Sequence, residues 1–228
     1  MLNMIKLDWL AMKYYWVRII VLPVMICMMG FLNEALIIPM TIYTMLSFSV
    51  NPFAVEEKGK LDNLYLTLPV SRKTVVKARY GLSLILQFAG LIFGTIMTIA
   101  ISALLYNRTI LFEHSFRADF KTIFLLICTS LLFCAIMNLS MFPILFKIGY
   151  AKGKALGFYI PIFGSAIIGY GIFIAWTFSS VFHKWLLSVI GWALINTLWT
   201  AMILLAAAVF ILAISYVLSQ RIYAKREF

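Results

Sequence analysis

The chain has 228 residues, 64% of them apolar and 12% charged, with a mean hydropathy of +1.02. A water-soluble domain is ~45–50% apolar and ~25% charged, so this sequence carries too little charge to cover a water-facing surface and must be solvated by lipid. That excludes a soluble enzyme, a disordered chain and a nucleic-acid-binding domain, despite a net charge of +11 from 19 Lys and Arg against 8 Asp and Glu. Cys27, Cys128 and Cys134 sit inside apolar runs without CxxC spacing, and read as small hydrophobes.

Met1–Trp16 is polar enough to lie at the membrane surface. Its apolar residues Leu2, Ile5, Trp9, Met12 and Trp16 recur every three or four positions, with Lys6 and Lys13 off that stripe. The Trp, Tyr and Lys mix suits the headgroup boundary, so an amphipathic interfacial helix over residues 1–16 is preferred to a simple overhang of the first span. The first apolar run, Val17–Phe31, has no small-residue cleavage site and reads as a span. Asn33-Glu34 breaks it from the second span, Ala35–Val50, with Glu34 expected as a solvated turn residue.

After the polar stretch Asn51–Arg79 come Gly81–Tyr106, Thr122–Phe146 and Ala155–Phe178 as spans three to five. Trp185–Ser219 is 35 residues, about 52 Å as one helix, which is too long for a ~30 Å hydrocarbon core. It divides into Trp185–Ile195, an outer re-entrant or interfacial piece, and a sixth span, Thr197–Ser219. The expected fold is a single all-α polytopic membrane domain over 1–228 with six transmembrane helices. With both termini inside, 15 of the 19 Lys and Arg fall on the cytoplasmic side, which satisfies the positive-inside rule. The basic balance therefore concerns topology and anionic lipid.

The loop at 51–80 is the most informative stretch. Asn51-Pro52 is a helix-start signal, and Glu56 and Glu57 sit early, where the helix dipole favours acids. Leu61, Leu64, Tyr65 and Leu68 form one apolar face of a short helix that Pro69 stops. Ser71 is placed to cap a new helix running through Arg72, Lys73, Lys77 and Arg79 into span three. Such a helix either offers a rigid knob to a partner outside the membrane or lies on lipid.

The run Glu56-Glu57-Lys58-Gly59-Lys60-Leu61 through Leu68-Pro69-Val70-Ser71-Arg72-Lys73, followed by Val75-Val76-Lys77-Ala78-Arg79-Tyr80, resembles the signature of ABC-2-type transporter permeases. Those carry an acidic-Lys-Gly start, a leucine-rich helix, an LPVSR turn and a basic lead-in to the third span. The resemblance implies that this loop is the cytoplasmic coupling helix between spans 2 and 3, docking on an ABC ATPase subunit. Leu61, Leu64, Tyr65 and Leu68 would then seat in the ATPase or pack the lever on the membrane, and Glu56, Glu57, Lys58, Lys60, Asp62 and Arg72 would supply polar contacts. It also implies the N-terminal interfacial helix, the re-entrant piece at 185–195 and a second permease copy, in a homodimer or heterodimer. The compact chain is similar to bacterial cell-membrane permeases that export phenol-soluble modulins or confer antimicrobial-peptide immunity.

The sequence carries no complete nucleotide-binding or protease motif. Gly149-Tyr150-Ala151-Lys152-Gly153-Lys154-Ala155 is one residue short of a P-loop and has Ala where the Mg²⁺-binding hydroxyl belongs. No cofactor is expected on this chain, and ATP and Mg²⁺ are expected on the partner ATPase. Glu56-Glu57 lacks the arginine four residues on that an intramembrane CAAX-type protease needs, Leu61 standing there, and His114 and His183 lie in outer loops. No span carries a charge near its middle, which argues against proton or sodium coupling. Gly90 and Gly94 form a small-xxx-small pair for close helix approach. The function expected is a permease subunit exporting an amphipathic or hydrophobic substrate, a peptide first. The rival is a non-transporting scaffold or sensor gripping a cytoplasmic partner through the same loop.

Overall fold

The structure is a computed structural model and describes residues 2–30, 34–59, 71–106 and 120–225. Those residues are helical almost throughout, with no strand among them. In chain order they are α1 (Leu2–Ala11), a 3₁₀ turn (Met12–Tyr15), α2 (Trp16–Gly30), a 3₁₀ turn (Glu34–Leu36), α3 (Ile37–Phe48) and α4 (Asn51–Gly59). Then follow α5 (Arg72–Tyr106), α6 (Phe120–Ile148), α7 (Tyr150–Phe178), α8 (Ser180–Ile195) and α9 (Thr197–Ala224). An apolar chain in lipid must satisfy its backbone within each segment, and helices do so.

Five described segments are long and apolar enough to cross a membrane: Glu34–Glu57, Arg72–Leu104, Phe120–Ile148, Tyr150–Phe178 and Thr197–Ala224. The sequence predicts six. The difference lies in α2, whose 15 residues reach only about 22 Å, short of a ~30 Å core. Residues 31–33, which the first expected span needs, lie outside the described residues.

Several boundaries follow local chemistry. Ser71 Oγ accepts the Thr74 N–H at 3.3 Å, so α5 starts where the cap predicts and runs 35 residues. Ser179 caps α8 through the Phe182 N–H at 3.2 Å, which starts that helix before Trp185. The chain breaks between α8 and α9 at Asn196 (φ −100°, ψ 49°), as the long apolar run requires.

Small residues set the closest approaches. A Cβ on Gly90 would lie 2.8 Å from Met45 Cγ, and one on Gly94 would overlap Thr41 Oγ1, so this pair seats α5 on α3. Gly153 and Gly157 do the same for α7 on α6, against Leu145 and Met141. This second pair has the same spacing and goes unread in the sequence. Inside the bundle, Tyr80 Oη meets Ser215 Oγ at 2.6 Å and Ser219 Oγ at 2.8 Å, and Ser215 Oγ donates to the Asn138 carbonyl at 3.0 Å. These bonds join α5, α6 and α9.

One expectation is extended and one is corrected. Along α1 the buried side chains include Met4 and Asp8, with Met12 just beyond its end, whereas Trp9 is 40% exposed. Met12 belongs to the apolar stripe and Ile5 is partly buried beside it, so the face of α1 turned to the bundle carries part of that stripe together with Asp8, which faces a cation described below. Glu34 is buried, and Ser102 Oγ donates to its carboxylate; it is no solvated turn residue.

Candidate functional site

The basic side chains gather at one end of the bundle: Lys6 and Lys13 near α1, Arg72, Lys73 and Lys77 on α5, Lys147 and Lys152 at the α6–α7 junction, and Arg221 and Lys225 on α9. Lys121 and Lys184 lie at the other. The segment α4, which leads into residues 60–70, sits at this basic end.

Its side chains divide. Val75, Arg79, Leu82 and Leu86 fall at i, i+4, i+7 and i+11 on α5 and are all buried, so Arg79 occupies a core position among apolar neighbours. Arg79 has no measurable exposure. Its Nη2 donates to Glu56 Oε2 at 2.8 Å, its Nε lies 3.2 Å from Asp8 Oδ2, and its Cζ sits 4.2 Å above the Phe53 ring. A buried guanidinium requires such partners, since an unpaired charge in a low-dielectric interior is strongly unfavourable. One cation thus ties α1, α4 and α5 together. Burial pushes the Asp8 carboxyl above its ordinary range, opposed in part by the attraction of Arg79.

Glu57 faces the other way. Its Oε2 accepts the backbone N–H of Tyr150 at 2.6 Å and of Ala151 at 2.8 Å, where α7 begins. A carboxylate there satisfies unbonded amides and meets the positive end of the helix dipole. Gly149 holds φ +79°, a conformation that favours glycine, and a Cβ there would come within 3.3 Å of Glu57 Oε2. The sharp turn between α6 and α7 and its anionic cap are therefore built together. The amides of the P-loop-like stretch are thereby bonded to a side chain of this protein.

Phe53 packs edge-on to Phe142 (5.9 Å) and Phe146 (4.9 Å) of α6, and Phe146 meets Tyr223 of α9 at 5.1 Å. Arg72 Nη1 donates to the Ala224 carbonyl at 3.0 Å, closing the start of α5 onto the end of α9. Between α4 and the α6–α7 turn lies a cavity of about 180 Å³ lined by Phe53, Glu56, Glu57, Leu145, Gly149 and Tyr150. A segment of nine residues is thus fastened to most of the long helices at one end.

Of the residues expected to couple to a partner, Glu56, Glu57 and Arg72 are described, and all three bond within the chain. Lys58 lies on α4. Lys60, Leu61, Asp62, Leu64, Tyr65 and Leu68 lie outside the described residues, as do His114 and Pro69. Asp8 and Arg79 are the functional candidates that sequence reasoning missed. The helical spacing of Val75, Leu82 and Leu86, with Arg79 in the same register, was the available signal. Among the described residues no group of three or more His, Cys, Asp or Glu could hold a metal ion.

The apolar spans and this fastened segment define an all-helical, multi-pass membrane protein with a braced joint at its basic end. The chain matches the ABC-2 family transporter protein family over residues 3–224 and belongs to that family of membrane permeases. No curated protein and no solved structure matches it significantly.

Proposed function

We propose that this chain is the permease subunit of an ATP-driven exporter, with six spans and both termini cytoplasmic. A separate ABC ATPase subunit, carrying ATP and Mg²⁺, supplies the energy. Two permease copies, identical or related, form the pathway between them. The observation that carries this reading is the pair of opposed contacts on α4: Glu56 to Arg79 and Glu57 to the first amides of α7. A movement imposed on residues 60–70 by a closing ATPase would reach α1, α5 and α7 through those contacts at once. The permease family and the charge asymmetry support it. The low charge of the spans favours an amphipathic or hydrophobic substrate, with a peptide ranked first, for toxin export or antimicrobial-peptide immunity.

The test is ATPase activity of the complex purified from native membranes and reconstituted in liposomes. Amphipathic peptide should stimulate wild type, and Leu64→Asp should abolish stimulation while leaving membrane insertion intact. A Leu64→Asp protein that still exports and still co-purifies with the ATPase refutes the lever. Absence of stimulation by any amphipathic or apolar candidate favours the scaffold reading.

A further inference from the structure

A trough of about 760 Å³ opens on the membrane-facing side of α5, α6 and α9, within the size range of ligand sites. It follows α5 from Lys77 to Phe88 and α9 from Tyr216 back to Leu205, with Leu131 of α6 between them. That is about 16 Å of helix, half of a ~30 Å hydrocarbon core and so the depth of one leaflet. Gly81, Ala208 and Ala213 line it and offer little side-chain bulk, which keeps it open.

Apart from Lys77, each polar side chain lining it makes a bond within the protein, Tyr216 Oη accepting from Gln220 Nε2 at 2.6 Å. Tyr80 Oη meets Ser215 and Ser219, and Gln87 Nε2 donates to Ser83 Oγ at 2.8 Å. Lys77 is different. It is exposed at the mouth of the trough, at the basic end, with exposed Lys73 one turn earlier on the same face. All four acidic side chains among the described residues are committed elsewhere: Asp8 and Glu56 to Arg79, Glu57 to α7, and Glu34 to Ser102. An apolar trough one leaflet deep, headed by a cation that no described acid neutralises, is complementary to an anionic amphiphile.

We propose that this trough binds an anionic phospholipid from the leaflet at the basic end, with its phosphate on Lys77 and an acyl chain along Gly81, Leu84 and Leu212. The inference needs only that the chain is embedded in a membrane, and it stands apart from ATP-driven export. A membrane protein gains both the apolar contact and the attraction between a basic residue and anionic headgroups at that depth.

The experiment is native mass spectrometry of the full chain, exchanged into mixed micelles holding equal phosphatidylglycerol and phosphatidylcholine. Wild type should retain phosphatidylglycerol preferentially. Lys77→Gln should reduce that preference about fivefold, the worth of one basic residue at an anionic surface. Ala213→Trp, at an exposed wall position, should reduce retention of both lipids with Lys77 intact; unchanged size-exclusion and circular-dichroism profiles verify the fold of both variants. Equal retention of the two lipids by wild type overturns the proposal, as does retention unaffected by either substitution. Displacement of the lipid by an amphipathic peptide, one for one, would make the trough a substrate site and overturn it as well.

Discussion

Glu56 and Glu57 are consecutive residues that hold opposite walls of one joint. Glu56 Oε2 takes Arg79 Nη2 at 2.8 Å, whereas Glu57 Oε2 takes two backbone amides at the start of α7. Side chains at adjacent helical positions diverge by about a third of a turn, so a single short helix reaches two neighbours without bending. A twist or shift of α4 must therefore load both contacts.

Removing the α7 cap tests one wall. Glu57→Ala should lower stability by about 1 kcal/mol, the usual worth of an N-terminal cap. Faster amide hydrogen exchange at Tyr150 and Ala151 should report it, with Glu57→Gln intermediate because it keeps an acceptor oxygen. Unchanged exchange in the alanine variant would mean that the cap contributes nothing.

The other wall is the Arg79 cluster. Arg79→Met strands two buried carboxylates and should cost about 3–5 kcal/mol. Adding Asp8→Asn and Glu56→Gln should restore much of that loss, since a cluster without charge leaves none unpaired. Unfolding in mixed micelles measures both. A single variant as stable as wild type contradicts the role of Arg79 as a hub.

Asp8 makes the cluster sensitive to pH. Its folded pKa is raised above 3.8 by burial, so the folded chain binds this proton more tightly than the unfolded chain. Its contribution to stability is full below 3.8 and falls as pH rises through the folded pKa. The difference in thermal midpoint between Asp8→Asn and wild type should therefore shift in favour of the variant on going from acid to neutral pH. Parallel pH profiles for the two proteins would refute the assignment.

Helix approach offers a packing test. Gly94→Ala would drive a methyl group into Thr41 Oγ1, which is pinned by bonds of 2.9 Å to the Ile37 and Ile38 carbonyls. The expected loss is about 1–3 kcal/mol, as for other overpacked sites. Thr41→Ala in the same chain should recover part of it. Gly169→Ala, where a Cβ meets nothing within 4 Å, should leave packing undisturbed. Equal effects at Gly94 and Gly169 would show that the α3–α5 contact is loose.

Lipid solvation, the helices of the described residues, the start of α5 at the Ser71 cap, the break at Asn196 and the use of Gly90 and Gly94 were all legible in the residues. Each depends on composition or on bonds between neighbours in the chain, and a helix in lipid closes its backbone bonds within itself. The burial of Asp8 on α1 and of Glu56 on α4 was not legible. Asp8 and Glu56 read equally well as surface acids, and Arg79 as one more basic anchor. Only the packed bundle removes them from water, where the strength of an ion pair depends on distance and local dielectric. The partner of Glu57 lies 93 positions away, at amides that any helix start would present. The composition and periodicity of the chain decide that it spans a membrane as helices; the meeting of distant segments decides which charges are buried together, because that energy exists only once they are within a few ångströms.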